Sequence, residues 1–151
     1  MSQKSKLAVM AHPDDEAFAL GGTLALYANR GVQVHLICAT KGEVGTVSPE
    51  FLAGYDDIAE LRMQELDCAA EQLGLAGLRV LDYRDSGMVG TPDNEHPRAL
   101  AQANQEQVVE AVSDYMRRVE PQVVITHDPQ GGYGHPDHIA IHKATVEAYH
   151  A

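Results

Sequence analysis

The chain has 151 residues, enough for one domain with a real core, and 44% of them are apolar. Lys and Arg number 11 against 22 Asp and Glu, a formal charge of −11. A surface this acidic repels polyphosphate, which argues against non-specific binding to nucleic acid or to an anionic membrane. The apolar stretch after "MSQKSK" is only "LAVMA", too short for a secretion signal, and no stretch approaches the roughly 20 apolar residues of a membrane span. Cys38 and Cys68 lie in apolar runs without Cys-x-x-Cys spacing and read as buried thiols of a reducing compartment. These features predict a single cytoplasmic domain over residues 1–151.

In chain order, "KLAVMA" (6–11) reads as a buried strand, followed by a helix-like segment at 16–30 and the strand "VQVHLICAT" (32–40). A helix-like segment at 57–74, the strand "LRVLDY" (78–83), a helix at 99–119, the strand "QVVITHD" (122–128) and a helix opening near 137 complete the pattern. Gly31, Gly74 and Pro121 stand where helices should stop. Near-continuous apolar strands alternating with helices predict an α/β fold: a Rossmann-like, doubly wound, mainly parallel sheet in the order 3-2-1-4 with helices on both faces.

Ligands in such sheets sit beyond the carboxyl ends of the strands, where strand order reverses. The loops at that edge are "HPDDE", "KGEVGTVSPEFLAGYDD", "RDSGMVGTPDNEHPR" and "PQGGYGHPDH". Two of them run to about 15 residues, longer than a packed domain needs for a connection, whereas the opposite-edge connections are short. Polar complexity is thus concentrated on one edge.

The first constellation on that edge is "HPDDE". An Asp before an apolar helix caps it and favours its dipole, but capping has no use for His12. The second is "GGYGHPDH" (131–138), whose His-x-x-His spacing can place two imidazoles around one centre, or can equally be a glycine-rich turn with Asp137 as cap. If the first and fourth strands are neighbours, both loops open into one crevice. His and Asp from one loop with His from the other then make a three-ligand zinc site with an open position, leaving a spare Asp and a spare His for proton transfer. The competing pair His138 and His142 lacks the glutamate of HExxH, so His142 reads as a packed or solvated helix residue. His35 reads as a packed strand residue, His96 and His150 as surface, and His127 as a residue that can line the crevice. "TKGEVGT" lacks the ending of a phosphate-binding loop, and no glycine fingerprint follows the first strand, which weakens a nucleotide-binding reading. Arg62 falls among Ile58, Leu61, Leu66, Ala69 and Leu73 on a helical wheel, where a charge needs a ligand or an internal partner such as Glu65 or a loop acid. Asp85, just past the third strand, is placed similarly.

With "AHPDDE" (11–16) and "HPDH" (135–138) in place, the sequence resembles the LmbE-like, or PIG-L, family of zinc-dependent N-deacetylases, which act on N-acetylglucosaminyl compounds. The likeness runs along nearly the whole chain, and "YRDSGMVGT" and "DPQGGYGHPDH" look closest to the deacetylases of mycothiol and bacillithiol synthesis. The resemblance implies His12, Asp15 and His138 as zinc ligands, a set that also suits Fe(II), and Asp14 as general base. It further implies His135 as the group that stabilises or protonates the tetrahedral intermediate, Asp137 as its orienting partner and Tyr133 as a polariser of the acetyl oxygen. Arg62 and Asp85 fall where the family grips the sugar. The implied reaction is hydrolysis of an acetamide: Asp14 takes a proton from water, Tyr133 and protonated His135 stabilise the oxyanion, and a proton returned from His135 or Asp14 frees the amine. The implied partner is a small N-acetylated amino-sugar (GlcNAc-inositol, GlcNAc-malate or a related conjugate), with no nucleic acid or membrane; a homo-oligomer is compatible with the reading. Family members continue beyond the second motif, whereas this chain ends at "VEAYHA" inside a helix-like run. The expectation is therefore a fold lacking the family's C-terminal part, and the alternative to a deacetylase is a zinc-containing sugar-binding or inactive domain.

Overall fold

The computed structural model describes residues 3–151. Its four strands are β1 (Ser5–Met10), β2 (Gln33–Thr40), β3 (Gly77–Tyr83) and β4 (Val123–Thr126), and its four long helices are α1 (Asp15–Asn29), α2 (Ile58–Leu73), α3 (Gln105–Val119) and α4 (Pro136–His150). The strands form one parallel sheet in the order β3-β2-β1-β4, as the alternation of apolar runs and helices predicts.

Side-chain alternation along the central strands separates two cores. Leu7, Val9 and Ala11 of the first strand region and Ile37 and Ala39 of β2 face α3 and α4, where they meet Val108, Val112, Ile141 and Ala144. Ala8 and Met10, with Val34, Leu36 and Cys38, face α1 and α2, where they meet Leu24 and Leu66. Because β1 and β2 are covered on both faces, their sequences are continuously apolar rather than alternating.

Two sequence expectations are corrected. Helix α3 begins at Gln105 rather than near 99. Leu100–Gln102 is a short 3-10 turn, and Asn104, extended in backbone, accepts the Gln107 N–H and starts the helix afresh. Cys38 is buried, but Cys68 is exposed, on the outer side of α2.

The fold prepares the site in two ways. Chain order reverses between β1 and β4, so the loops after them diverge from adjacent strand ends. On the other side, the β2–β3 register shifts between Cys38 and Thr40, opposite Val80 and Tyr83, and Asp82 adopts φ 64° within that irregularity. Such a bulge bends the strand and re-aims the residues just beyond it, here Asp85 and Ser86.

Candidate metal centre

His12 leaves β1 at its carboxyl end, and His138 lies in the first turn of α4. The two meet with His12 Nδ1 3.2 Å from His138 Nε2. Asp15, the first residue of α1, lies beside both rings: its Oδ2 is 3.6 Å from His12 Nδ1 and its Oδ1 3.6 Å from His138 Nε2. Ligand atoms about 2.0–2.1 Å from a tetrahedral zinc stand about 3.4 Å apart; the His12–His138 separation suits one ion, and Asp15 faces the two rings with different oxygens. His12 and His138 are buried and Asp15 nearly so.

The surroundings hold these donors in place. His12 Nε2 faces Asp137 Oδ2 at 3.0 Å and Asp85 Oδ1 at 3.5 Å. The His12 amide donates to Asp15 Oδ2 at 2.9 Å, and His127 Nε2 approaches the same oxygen at 3.3 Å. His127 also stacks on His138, with ring centroids 3.8 Å apart, and its carbonyl pairs with His142 Nδ1 at 2.7 Å. Burial opposes charge on Asp15, yet hydrogen bonds from His12 and His127 hold its carboxyl far below the usual carboxylate range. Burial likewise disfavours a charged His12, but Asp137, Asp15 and Asp85 outweigh it and raise its pKa well above the ordinary value. Burial pushes His138 down to about 4, which keeps its imidazole neutral and its lone pair free for a cation.

Asp14 points away from these three side chains into an open crevice of about 360 Å³, where its side chain is half exposed. Its φ of 124° lies in the region that favours glycine, a strained backbone held by Glu16, whose buried carboxylate accepts the Asp14 amide at 3.0 Å. Burial raises the Asp14 pKa, and the Arg62 guanidinium 3.0 Å away pulls it back down. Arg62 also donates to the Gly42 carbonyl at 3.0 Å and to the Pro13 carbonyl, so it ties the β1 loop to the β2 loop while lining the crevice. Its acidic partner is Asp14 rather than Glu65.

Asp85, Tyr133 and His135 line the same crevice. Tyr133 is largely exposed at the rim, its ring edge-on to His135 with centroids 6.1 Å apart. His135 is buried and caps α4: its Nδ1 accepts the Asp137 amide at 3.2 Å. With Nδ1 so engaged, the neutral ring carries its proton on Nε2. Burial, then the neighbouring His12 charge, lowers its pKa. The Asp137 carboxylate makes its hydrogen bonds to His12 and Ser86 rather than to the His135 ring.

Sequence reasoning missed Ser86 and Glu43. Ser86 is buried beneath Asp137, and Glu43 accepts the Asp85 amide at 3.0 Å, which fixes the loop that brings Asp85 inward. The available signal was position: both lie just past strand ends at the polar edge.

A parallel 3-2-1-4 sheet that gathers histidines and carboxylates at its switch point defines the class: an α/β protein with a candidate metal centre. The model of the PIG-L family, GlcNAc-PI de-N-acetylase, matches residues 7–149, and the chain belongs to that family. Among its relatives is a 1D-myo-inositol 2-acetamido-2-deoxy-alpha-D-glucopyranoside deacetylase from Acidothermus cellulolyticus, 47% identical over 96% of this chain and 53% of that protein. The N,N'-diacetylchitobiose deacetylase of Pyrococcus horikoshii superposes with a TM-score of 0.73 at 26% identity, covering 96% of this chain and 49% of that one. A 4-carboxy-2-hydroxymuconate hydratase from Pseudomonas putida also superposes with a TM-score of 0.73, at 29% identity over 97% of this chain and 55% of its own. The chain spans about half the length of the curated relatives it matches. Since both a deacetylase and a hydratase share the fold, the reaction has to be argued from the site.

Proposed function

We propose that residues 1–151 act as one deacetylase domain that removes the acetyl group from an N-acetylglucosaminyl substrate, with His12, Asp15 and His138 holding zinc. The observation that carries the proposal is the division of labour between two adjacent carboxylates. Asp15 turns inward toward His12 and His138, while Asp14 turns into the crevice. Relatives 45–47% identical that are named as deacetylases of an acetamido-sugar support the same reading. Two imidazoles and a carboxylate suit Fe(II) as well as zinc.

Zinc, when bound, supplies Lewis acidity that lowers the pKa of water from about 15.7 to about 7 and polarises a carbonyl. The chain supplies the rest. Asp14, with a raised pKa and one oxygen held by Arg62, accepts the water proton and later returns it toward the departing amine. His135 donates Nε2–H, and Tyr133 its hydroxyl, to the oxygen that gains charge as the acetyl carbon becomes tetrahedral. Asp85 and Arg62, both lining the crevice, offer the sugar hydroxyls an acceptor and a donor. The names of these relatives point to an inositol-linked amino-sugar as the first substrate to try.

The test is acetate release from N-acetylglucosaminyl-inositol, N-acetylglucosaminyl-malate and diacetylchitobiose by the purified chain. The proposal expects release from at least one substrate, abolished by chelator and restored by zinc. Stoichiometric zinc with sugar binding but no acetate would replace it with the sugar-binding reading.

A further inference from the structure

We infer that Ser86 and Asp137 form a positioning relay that sets the ring orientation and tautomer of His12. The inference rests on reading His12 as a zinc ligand.

Every hydrogen-bond direction in the relay traces back to a backbone amide, which can only donate. The Ala101 N–H donates to Ser86 Oγ at 2.9 Å. The Ser86 hydroxyl proton is thereby directed to its other neighbour, Asp137 Oδ1. The Ser86 amide donates to Asp137 Oδ2 at 2.9 Å. Both carboxylate oxygens are therefore already acceptors. His12 Nε2 lies 3.0 Å from Oδ2, so this nitrogen must carry the proton. With a metal ion bound the imidazole is neutral and has one N–H, which leaves the lone pair on Nδ1, the atom facing His138 Nε2 at 3.2 Å and the Asp15 carboxylate at 3.6 Å.

Burial makes the relay hard to replace. Ser86 and Asp137 have no exposed surface and His12 has 6%, so water cannot stand in for a missing partner. Asn94 Nδ2 donates to the Ser86 carbonyl at 2.6 Å and pins the Ser86 main chain. The 3-10 turn at Ala101, the loop at Ser86 and the first turn of α4 are thus coupled to one ring nitrogen. His135 uses Nδ1 to accept the Asp137 amide rather than to pair with the Asp137 carboxylate. Removing a partner that orients a ligating histidine weakens metal binding by about 10–100-fold.

The experiment uses the full chain and three variants, Ser86→Ala, Ser86→Thr and Asp137→Asn. Zinc affinity is measured by competition with a chromogenic chelator, and the His12 ring nitrogens are assigned by 1H–15N NMR of the zinc-loaded protein. Circular dichroism melts report folding separately. The relay predicts a slowly exchanging Nε2–H on His12 in the wild type. It predicts roughly tenfold weaker zinc binding and faster exchange of that proton in Ser86→Ala, with larger loss in Asp137→Asn, up to about 100-fold. Ser86→Thr, which keeps the hydroxyl, should recover affinity. Should Ser86→Ala fail to fold, the nearly isosteric Asp137→Asn carries the test alone. Zinc affinities within twofold of wild type, or a His12 bound through Nε2 with its proton on Nδ1, would overturn the relay while leaving the metal centre intact. A wild-type chain that binds no zinc overturns the metal centre and the relay with it.

Discussion

Gly42→Ala is expected to evict the Arg62 guanidinium from the crevice wall. Gly42 has φ 67°, and a Cβ built there would stand 2.0 Å from Arg62 Nη1 and 2.5 Å from Cζ. The left-handed backbone alone costs an alanine about 1–2 kcal/mol. Displacing Arg62 removes its bonds to the Gly42 and Pro13 carbonyls, at about 1 kcal/mol each for partly buried groups. Its pairing with the half-exposed Asp14 adds little, since such ion pairs are worth about 0–1 kcal/mol. The sum is about 3–4 kcal/mol. In an Arg62→Ala background the collision is gone, and the same substitution should cost only the backbone term of about 1–2 kcal/mol. Urea denaturation of the four proteins of this double-mutant cycle should give a coupling of about 2 kcal/mol. Equal costs in both backgrounds would refute the packing of Arg62 over Gly42.

Three further outcomes are expected. Asp14→Asn should lower acetate release by about 10²–10⁴-fold while leaving zinc content unchanged, because it removes the proton acceptor and not a ligand; full activity would remove Asp14 from the mechanism. Leu66→Ala, in a side chain 1% exposed between α2 and the sheet, should destabilise the fold by about 2–5 kcal/mol, as read by urea denaturation, with zinc stoichiometry retained. Burial lowers the pKa of His35, so the unfolded chain takes up its proton near pH 6.5 while the folded chain resists. Stability should therefore be lost as pH falls from about 6.5 toward the folded value, and His35→Gln should flatten that slope; parallel slopes for the two proteins would show that the ring titrates alike in both states.

Much of the architecture was legible because its signals are local. The strands around Leu7–Met10 and Val34–Cys38 are covered on both faces, so their apolar runs are unbroken, and Gly74 marks the end of α2 through a φ of 70°. The start of α3 was not legible: Leu100 is buried and apolar like a helix residue, yet it packs from a 3-10 turn, and the Asn104 cap shows itself only through its bond to Gln107. Cys68 was misjudged because its helix has apolar residues on more than one side of the wheel.

In the site, His12, Asp14, Asp15, His135 and His138 could be brought together from two motifs on adjacent strand ends. What the residues could not reveal was which oxygen faces which nitrogen. The pairing of Asp137 with His12 and not with the His135 ring depends on Ser86, which arrives on a third loop through a bulge at Asp82. The strained backbone of Asp14 and its support by Glu16 are equally properties of three-dimensional placement. Spacing within one motif cannot encode them.

The central claim is that one ion sits among His12, Asp15 and His138 with Asp14 left free beside it. Anomalous diffraction at the zinc edge from crystals of the zinc-loaded chain tests it directly. The account predicts a single strong peak about 2.0–2.2 Å from His12 Nδ1, His138 Nε2 and an Asp15 oxygen, with Asp14 outside bonding distance. Three different donor clusters of the site are the alternatives: His12, His135 and His138; His12, Asp85, His135 and Asp137; and Asp15, His127 and His138. A peak centred on any of these three, or ligation by Asp14, would contradict the account.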